Sequence, residues 1–368
     1  MSELEAFGWS PAWAAALGAA EGRELVPGRV VVQHRDRAVL VTAQGELPGI
    51  VSGRFRHAAA GPADFPVVGD WVAFEGSAGA TEAGCGDSRA EVVIQAVLPR
   101  RSAFVRRAAG RAPAGQVVAA NVDAVLVATS LDRDLNPRRL ERYLAVAWES
   151  GAAPELVLTK ADRCPSGARD ALVLQAEAVA AGLRVTVVSA VDGTGLAELA
   201  ARIMPGRTTA LLGSSGVGKS TLINALLGGE RQAVADVRAG DGRGRHTTTR
   251  RELLRLPGGG LVVDTPGMRE LGLWEVDGLD QAFDEVEALA VDCRFRDCRH
   301  ESEPGCAVRA AVATGRLDPE RIRSRRTLGR ELAALEASRD PGAKRRFWRA
   351  MRDAAAERMA ARSDPSLR

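Results

Sequence analysis

Gly213-Ser-Ser-Gly-Val-Gly-Lys219-Ser220 follows an apolar run, Thr209-Ala-Leu-Leu212, and opens another, Ser220-Thr-Leu-Ile-Asn-Ala-Leu-Leu227. A GxxxxGK[ST] stretch between a strand and a helix is a phosphate loop. Gly213, Gly216 and Gly218 let backbone N–H groups wrap phosphates, aided by the helix N-terminus. Lys219 is expected to neutralise the β- and γ-phosphates and Ser220 to ligate magnesium. Thr159-Lys-Ala-Asp162 ends an apolar strand upstream of this loop, and Ser189-Ala190 ends the next one. A carboxylate at Asp162 can accept from guanine N1–H and the exocyclic N2 amine. Adenine would leave it unpaired at a cost of a few kcal/mol. Lys160 can lay its aliphatic stem on the base, and a backbone N–H near Ser189-Ala190 can meet guanine O6. In Ras-like GTPases the base-reading motif follows the phosphate loop, so this order predicts a circular permutation.

Downstream, Leu261-Val-Val-Asp264 ends in Asp264-Thr-Pro-Gly267. Asp264 is placed to hold the magnesium shell, and the Gly267 N–H to sense the γ-phosphate. Between lies Gly240-Asp-Gly-Arg-Gly-Arg-His246-Thr-Thr-Thr249, whose Thr run offers a switch hydroxyl for magnesium, from Thr248 or one of its neighbours Thr247 and Thr249. Met268 stands where Ras-like enzymes carry the water-orienting Gln. An apolar side chain cannot position water, and His246 is the nearest candidate in sequence to do so.

The pattern around these motifs gives the rest of the α/β domain. Apolar strand runs at 122–129, 155–159, 184–189, 208–213, 252–256 and 261–264 alternate with helical stretches at 137–150, 166–181, 196–203 and 219–227. That is a complete six-stranded α/β set. Residues 28–98 instead alternate short β-branched runs with turns, five in all, which suits a small barrel of the OB type. Arg100, Arg101, Arg106, Arg107 and Arg111 follow with Phe104 among them and no intervening acid. Residues 321–362 carry 13 Lys or Arg against 5 Asp or Glu, including Lys344-Arg-Arg-Phe-Trp-Arg349. Basic side chains interleaved with aromatics suit RNA.

Cys293-x4-Cys298-x-His300-x5-Cys306 places three of the five Cys and one of the four His within 14 residues. Zinc takes four such ligands in closed structural sites. The Cys are not a dispersed disulfide framework, which points to the cytoplasm. The Ala-rich stretch 12–20 is preceded by Glu3 and Glu5 with no basic residue, the wrong charge for a secretory leader. No run approaches the roughly 20 apolar residues that span a bilayer. A net charge of +3 and 46% hydrophobic residues are ordinary for a soluble chain.

Taken in order, TKAD, GSSGVGKS, GRGRHTTT, DTPG and the Cys/His cluster closely resemble the ribosome small-subunit-dependent GTPase A family, over about residues 28–345. The resemblance implies an N-terminal extension (1–27), an OB-fold β-barrel (28–112), a circularly permuted P-loop GTPase domain (113–278) and a helical zinc-binding domain with a basic tail (279–368). It carries nucleotide roles onto Thr159, Lys160, Ala161, Asp162, Ser189, Ala190, Gly213, Ser214, Ser215, Gly216, Val217, Gly218, Lys219, Ser220, Thr221, Asp264 and Gly267. It carries zinc ligation onto Cys293, Cys298, His300 and Cys306. The implied partners are GTP or GDP and the small ribosomal subunit with its rRNA. The implied role is a cytoplasmic, monomeric GTP hydrolase in late subunit maturation, with no membrane. Two other readings stay open on the residues: a GTP-regulated RNA-binding factor in translation, and a P-loop metabolic kinase, which would have no use for TKAD.

Overall fold

A computed structural model describes residues 2–19, 25–34, 37–75, 91–107, 115–132, 135–165, 167–180, 182–229, 251–264 and 277–339. The 76–90 loop, His246, the Thr run 247–249, Gly267, Met268, Arg111 and the 344–349 cluster lie outside these residues.

Two short helices, α1 (Glu3–Ala6) and α2 (Pro11–Gly18), lead into β1 (Leu25–Gln33), β2 (Ala38–Thr42) and β3 (Gly45–Val51). After α3 (Gly53–Ala58) come β4 (Trp71–Glu75) and β5 (Val92–Val97). These five strands close in the order β1-β2-β3-β5-β4, with β4 pairing back onto β1. The β3–β5 pair is parallel and the others antiparallel. Closure removes the free edges that five short strands would otherwise expose. Val30, Leu40, Val72, Phe74 and Ile94 fill the barrel, the alternate residues of their strands. The Ala-rich 12–20 stretch supplies most of α2, and its Trp13 packs outside the barrel with Leu4, Trp71, Ala73 and Leu98.

A hairpin follows, β6 (Ala103–Arg107) and β7 (Gly115–Ala120), and then the α/β domain. Its elements are β8 (Ala124–Ser130), α4 (Pro137–Glu149), β9 (Ala153–Thr159), α5 (Arg169–Val179), β10 (Val185–Val187), α6 (Leu196–Arg202), β11 (Thr208–Gly213), α7 (Lys219–Leu227), β12 (Arg251–Arg255) and β13 (Leu261–Asp264). The sheet order is β10-β9-β8-β11-β13-β12, parallel except for β12. Strands on one side of β11 follow it in the chain and those on the other side precede it. Starting the chain at β11 would restore the usual order, so the permutation is written in the sheet. Along β8, Leu126 faces one helical layer while Val125 and Val127 face the other, as a sheet covered on both faces requires.

The sheet does not stop at β12. Val32 and Gln33 of β1 pair with Glu252 and Arg251, so barrel and α/β sheet form one continuous hydrogen-bonded system.

Four helices complete the described chain: α8 (Asp277–Ala282), α9 (Asp284–Ala290), α10 (Ala307–Ala313) and α11 (Pro319–Arg339). Gly278 lets α8 press on α4, since a Cβ there would lie 2.3 Å from Ala145 O. Buried Arg321 of α11 fastens the contact, donating to Glu141 Oε1 of α4 at 2.8 Å and Glu285 Oε1 of α9 at 2.6 Å.

The basic patch expected at 100–111 is rearranged. Arg100 forks onto Asp70 at 2.8 and 2.7 Å, and Arg106 forks onto Gln116 Oε1 at 3.1 and 3.0 Å. Phe104 is 1% exposed and belongs to the core, so it is no stacking platform for RNA. Apolar demand at the β6–β7 hairpin overrides the reading from charge and aromatic spacing.

Candidate functional site

Among the described residues, the nucleotide motifs lie at the carboxyl ends of parallel strands, the edge where open α/β sheets bind ligands. The phosphate loop leaves β11, the TKAD segment leaves β9, Ser189 lies just past β10, and Asp264 ends β13 beside β11. The sheet order therefore gathers segments far apart in the chain onto one rim.

The phosphate loop needs glycine for stated reasons. At Gly213 φ is +158 and a Cβ would lie 2.4 Å from Ala128 O on β8. Gly218 caps α7 at φ +104, beyond the reach of most side chains. Lys219 Nζ donates to the Gly213 and Ser214 carbonyls at 2.6 Å each, which holds the ammonium within the loop. Ser220 and Thr221 follow in the first turn of α7, and Val217 is fully buried.

The TKAD segment braces that loop from the side. Thr159 Oγ1 donates to Val217 O at 2.6 Å, which ties the two loops together. Lys160 holds a left-handed backbone at φ +56, an uncommon conformation for a non-glycine residue and one that clusters at functional sites. Its Nζ pairs with Asp132 Oδ2 at 2.8 Å, while Ser130 donates to Asp132 Oδ1 at 2.6 Å. Asp132 follows β8, and sequence reasoning missed it because no motif marks it. Ala161 N–H donates to Val188 O at 3.1 Å, and Ser189 Oγ donates to Asp162 Oδ1 at 2.8 Å. Asp162 is thus oriented by the second motif of the pair, with Ala190 next along the turn. Of the predicted nucleotide residues, His246, Thr248 and Gly267 fall outside the described chain.

The second cluster is built by the loop between α9 and α10. The ligand atoms of Cys293, Cys298, His300 and Cys306 all lie within 4.8 Å of one another. Cys293 and Cys306 Sγ are 3.9 Å apart, and His300 Nδ1 lies 3.6 and 3.3 Å from them. A zinc tetrahedron with Zn–S bonds of about 2.3 Å has edges of about 3.8 Å, so the donors fit such an ion. His300 reaches its place through a left-handed backbone, φ +59. Burial and the Arg325 cation push the imidazole below its ordinary value, which favours the neutral form that ligation requires. Burial and the neighbouring thiols push Cys298 up to about 11. Three thiols this close cannot all ionise without a cation among them.

Fold and rim together define a circularly permuted GTPase with a barrel before it and a Cys3His module after it. The profile described as RsgA GTPase matches residues 97–274. The "Small ribosomal subunit biogenesis GTPase RsgA" of Opitutus terrae is 49% identical over 342 residues, 92% of each chain. The relative of that name from Streptomyces coelicolor is 46% identical over 345 residues, covering 93% of this chain and 90% of its own. Among solved structures, YjeQ from Thermotoga maritima aligns with TM-score 0.63 at 26% identity, over 84% of this chain and 98% of its own. YloQ, described as a circularly permuted GTPase, aligns with TM-score 0.59 at 23% identity over 85% of this chain and 98% of its own, a likeness of fold. The chain belongs to the RsgA GTPase family.

Proposed function

We propose that this protein hydrolyses GTP to GDP and phosphate while bound to the small ribosomal subunit, and that hydrolysis releases it at a late step of subunit maturation. The observation that carries this reading is the permuted sheet, whose rim gathers the guanine and phosphate motifs while its two new ends lead into the barrel and the Cys3His module. The relatives' printed names, small ribosomal subunit biogenesis GTPase, support the partner.

In this reading Asp162, oriented by Ser189, reads the guanine edge, and Lys160, anchored by Asp132, covers the base. Thr159 and Ala161 shape that loop, and Ala190 offers its N–H to guanine O6. Gly213 to Thr221 wrap the phosphates, with Lys219 opposing their charge. Magnesium would be held by Ser220 and Thr248 within a shell ordered by Asp264, supplying charge neutralisation at the β- and γ-phosphates. Gly267 senses the γ-phosphate and His246 orients the attacking water. Zinc on Cys293, Cys298, His300 and Cys306 would be structural, since four protein donors leave no open position.

The barrel (28–112) and the C-terminal module (279–368) are assigned to the subunit's rRNA, with the chain acting as a monomer in the cytoplasm. No described helix is long and apolar enough to cross a membrane. A co-sedimentation of the full chain with purified small subunits tests the reading. Retention with a non-hydrolysable GTP analogue and loss with GDP is expected; equal binding in both states would exclude hydrolysis as the release step.

A further inference from the structure

Behind the nucleotide rim, at the amino ends of β8 and β11, the N-terminal helices and the barrel enclose a cleft of about 380 Å³. Trp9, Ser10, Arg29, Arg101, Asp123 and Arg207 are among the side chains that line it. Arg29 is 3% exposed, and its hydrogen bonds go only to neutral oxygens: Phe7 O at 2.7 Å, Asn121 O at 3.2 Å and Thr208 Oγ1 at 2.9 Å. Its Nε is buried without a partner. No carboxylate is hydrogen-bonded to this guanidinium; Asp123 and Asp70 act on it only through space and burial outweighs them, so a ligand anion in the cleft would add to its stabilisation. Burial accordingly draws the Arg29 guanidinium down to about 10.

A second observation comes from α2. Ser10 is its N-cap, yet the hydroxyl makes no capping bond and is buried without a partner. Pro11 has no N–H and the Trp13 and Ala14 N–H groups turn back to Ser10 O at 2.9 and 3.0 Å, so this N-terminus offers a phosphate the Ala12 N–H and a positive dipole. The acids of the cleft are already occupied. Asp123 accepts from Thr208 N–H at 2.8 Å and lies 3.7 Å from Arg207, and Glu5 accepts from Ser2 N–H at 2.7 Å. Arg101, exposed, covers the Trp13 ring at 4.2 Å beside half-buried Trp9, which makes one wall both cationic and aromatic.

We propose that this cleft binds one nucleotide unit, its phosphate held by Ser10, the α2 N-terminus and the Arg29 and Arg101 cations, its base lying on the Trp9–Arg101 wall. Such platforms take bases by stacking. The lining includes neither the TKAD loop nor Ser189, so the cleft does not require guanine, unlike the rim. The same chemistry is carried by a free nucleoside monophosphate and by a residue of single-stranded RNA.

The test uses the full chain saturated with GDP, so that the rim is filled. It is titrated separately with uridine 5′-monophosphate and with a short oligouridylate, following tryptophan fluorescence and indole N–H shifts. Saturable changes with the oligomer alone identify RNA as the source, and changes with both admit the free nucleotide. Arg101→Glu is expected to weaken binding about tenfold or more at low salt, and Trp9→Leu about fivefold or more. Arg184→Glu, on the exposed approach to β10, serves as the surface control and should bind as wild type. Retained GDP affinity and melting temperature certify the fold of each variant. Overturning results are no saturable change with either ligand, or an Arg101→Glu variant that binds like wild type.

Discussion

Asp162 carries the choice of base in this account, and its position is set before any ligand arrives. Ser189 Oγ donates to one carboxylate oxygen at 2.8 Å, leaving the group to accept from guanine N1–H and the N2 amine. Asp162→Asn should lower GTP affinity about 10²-fold or more, since two bonds to a charged acceptor are lost. Xanthine nucleotides should gain, because an amide can donate to the C2 carbonyl. Equilibrium titration with both nucleotides checks this, and unchanged GTP affinity would remove Asp162 from the base pocket. His246 is the other residue on which the proposed chemistry turns. With Met268 unable to orient water, His246→Ala should keep GTP affinity but lose about 10²–10⁴-fold of the subunit-stimulated rate. Single-turnover assays with subunits present decide it, and full stimulation in the variant would hand the role to another group.

At the scale of elements, the α9–α10 loop and the α4–α11 contact hold the C-terminal module together. Metal analysis of protein purified without chelator should give about one zinc per chain. Cys298→Ser should release the metal and lower the module's melting temperature while GDP binding persists; metal-free wild-type protein would refute the site. Arg321 supports the same module from its other side. Its removal in Arg321→Ala would leave Glu141, whose side chain is 4% exposed, without a counter-charge. Breaking such a buried pair costs about 3–5 kcal/mol, so denaturant unfolding should show a loss of that order. These two elements also mark how far sequence reading reached. The five barrel strands and the six α/β strands were legible because each is a short apolar run closed by turn residues, and the motifs were legible because glycine and charge stand at fixed spacings. The β6–β7 hairpin was not, since its arginines read as a surface patch while Phe104 is buried. Arg321, Asp132 and Arg29 were equally invisible, because each is a polar residue whose partners lie far away in the chain or carry no motif.

For the whole molecule, permutation is a matter of wiring. The segment after Asp264 leads into the Cys3His module, while β12, which follows the Thr run, is hydrogen-bonded to the barrel through β1. Both flanking domains are thereby joined to the two segments proposed to sense the γ-phosphate, so in the proposed function one chemical event changes both proposed rRNA contacts. Guanine preference separates this from a metabolic kinase. Dependence on the subunit separates it from an RNA-binding factor acting elsewhere in translation. The most direct test of the central claim is steady-state GTP turnover by the full chain, measured alone, with purified small subunits, and with large subunits or unrelated RNA. Slow turnover alone and a large stimulation by small subunits only are expected. Turnover unchanged by small subunits, or raised equally by any RNA, would contradict it.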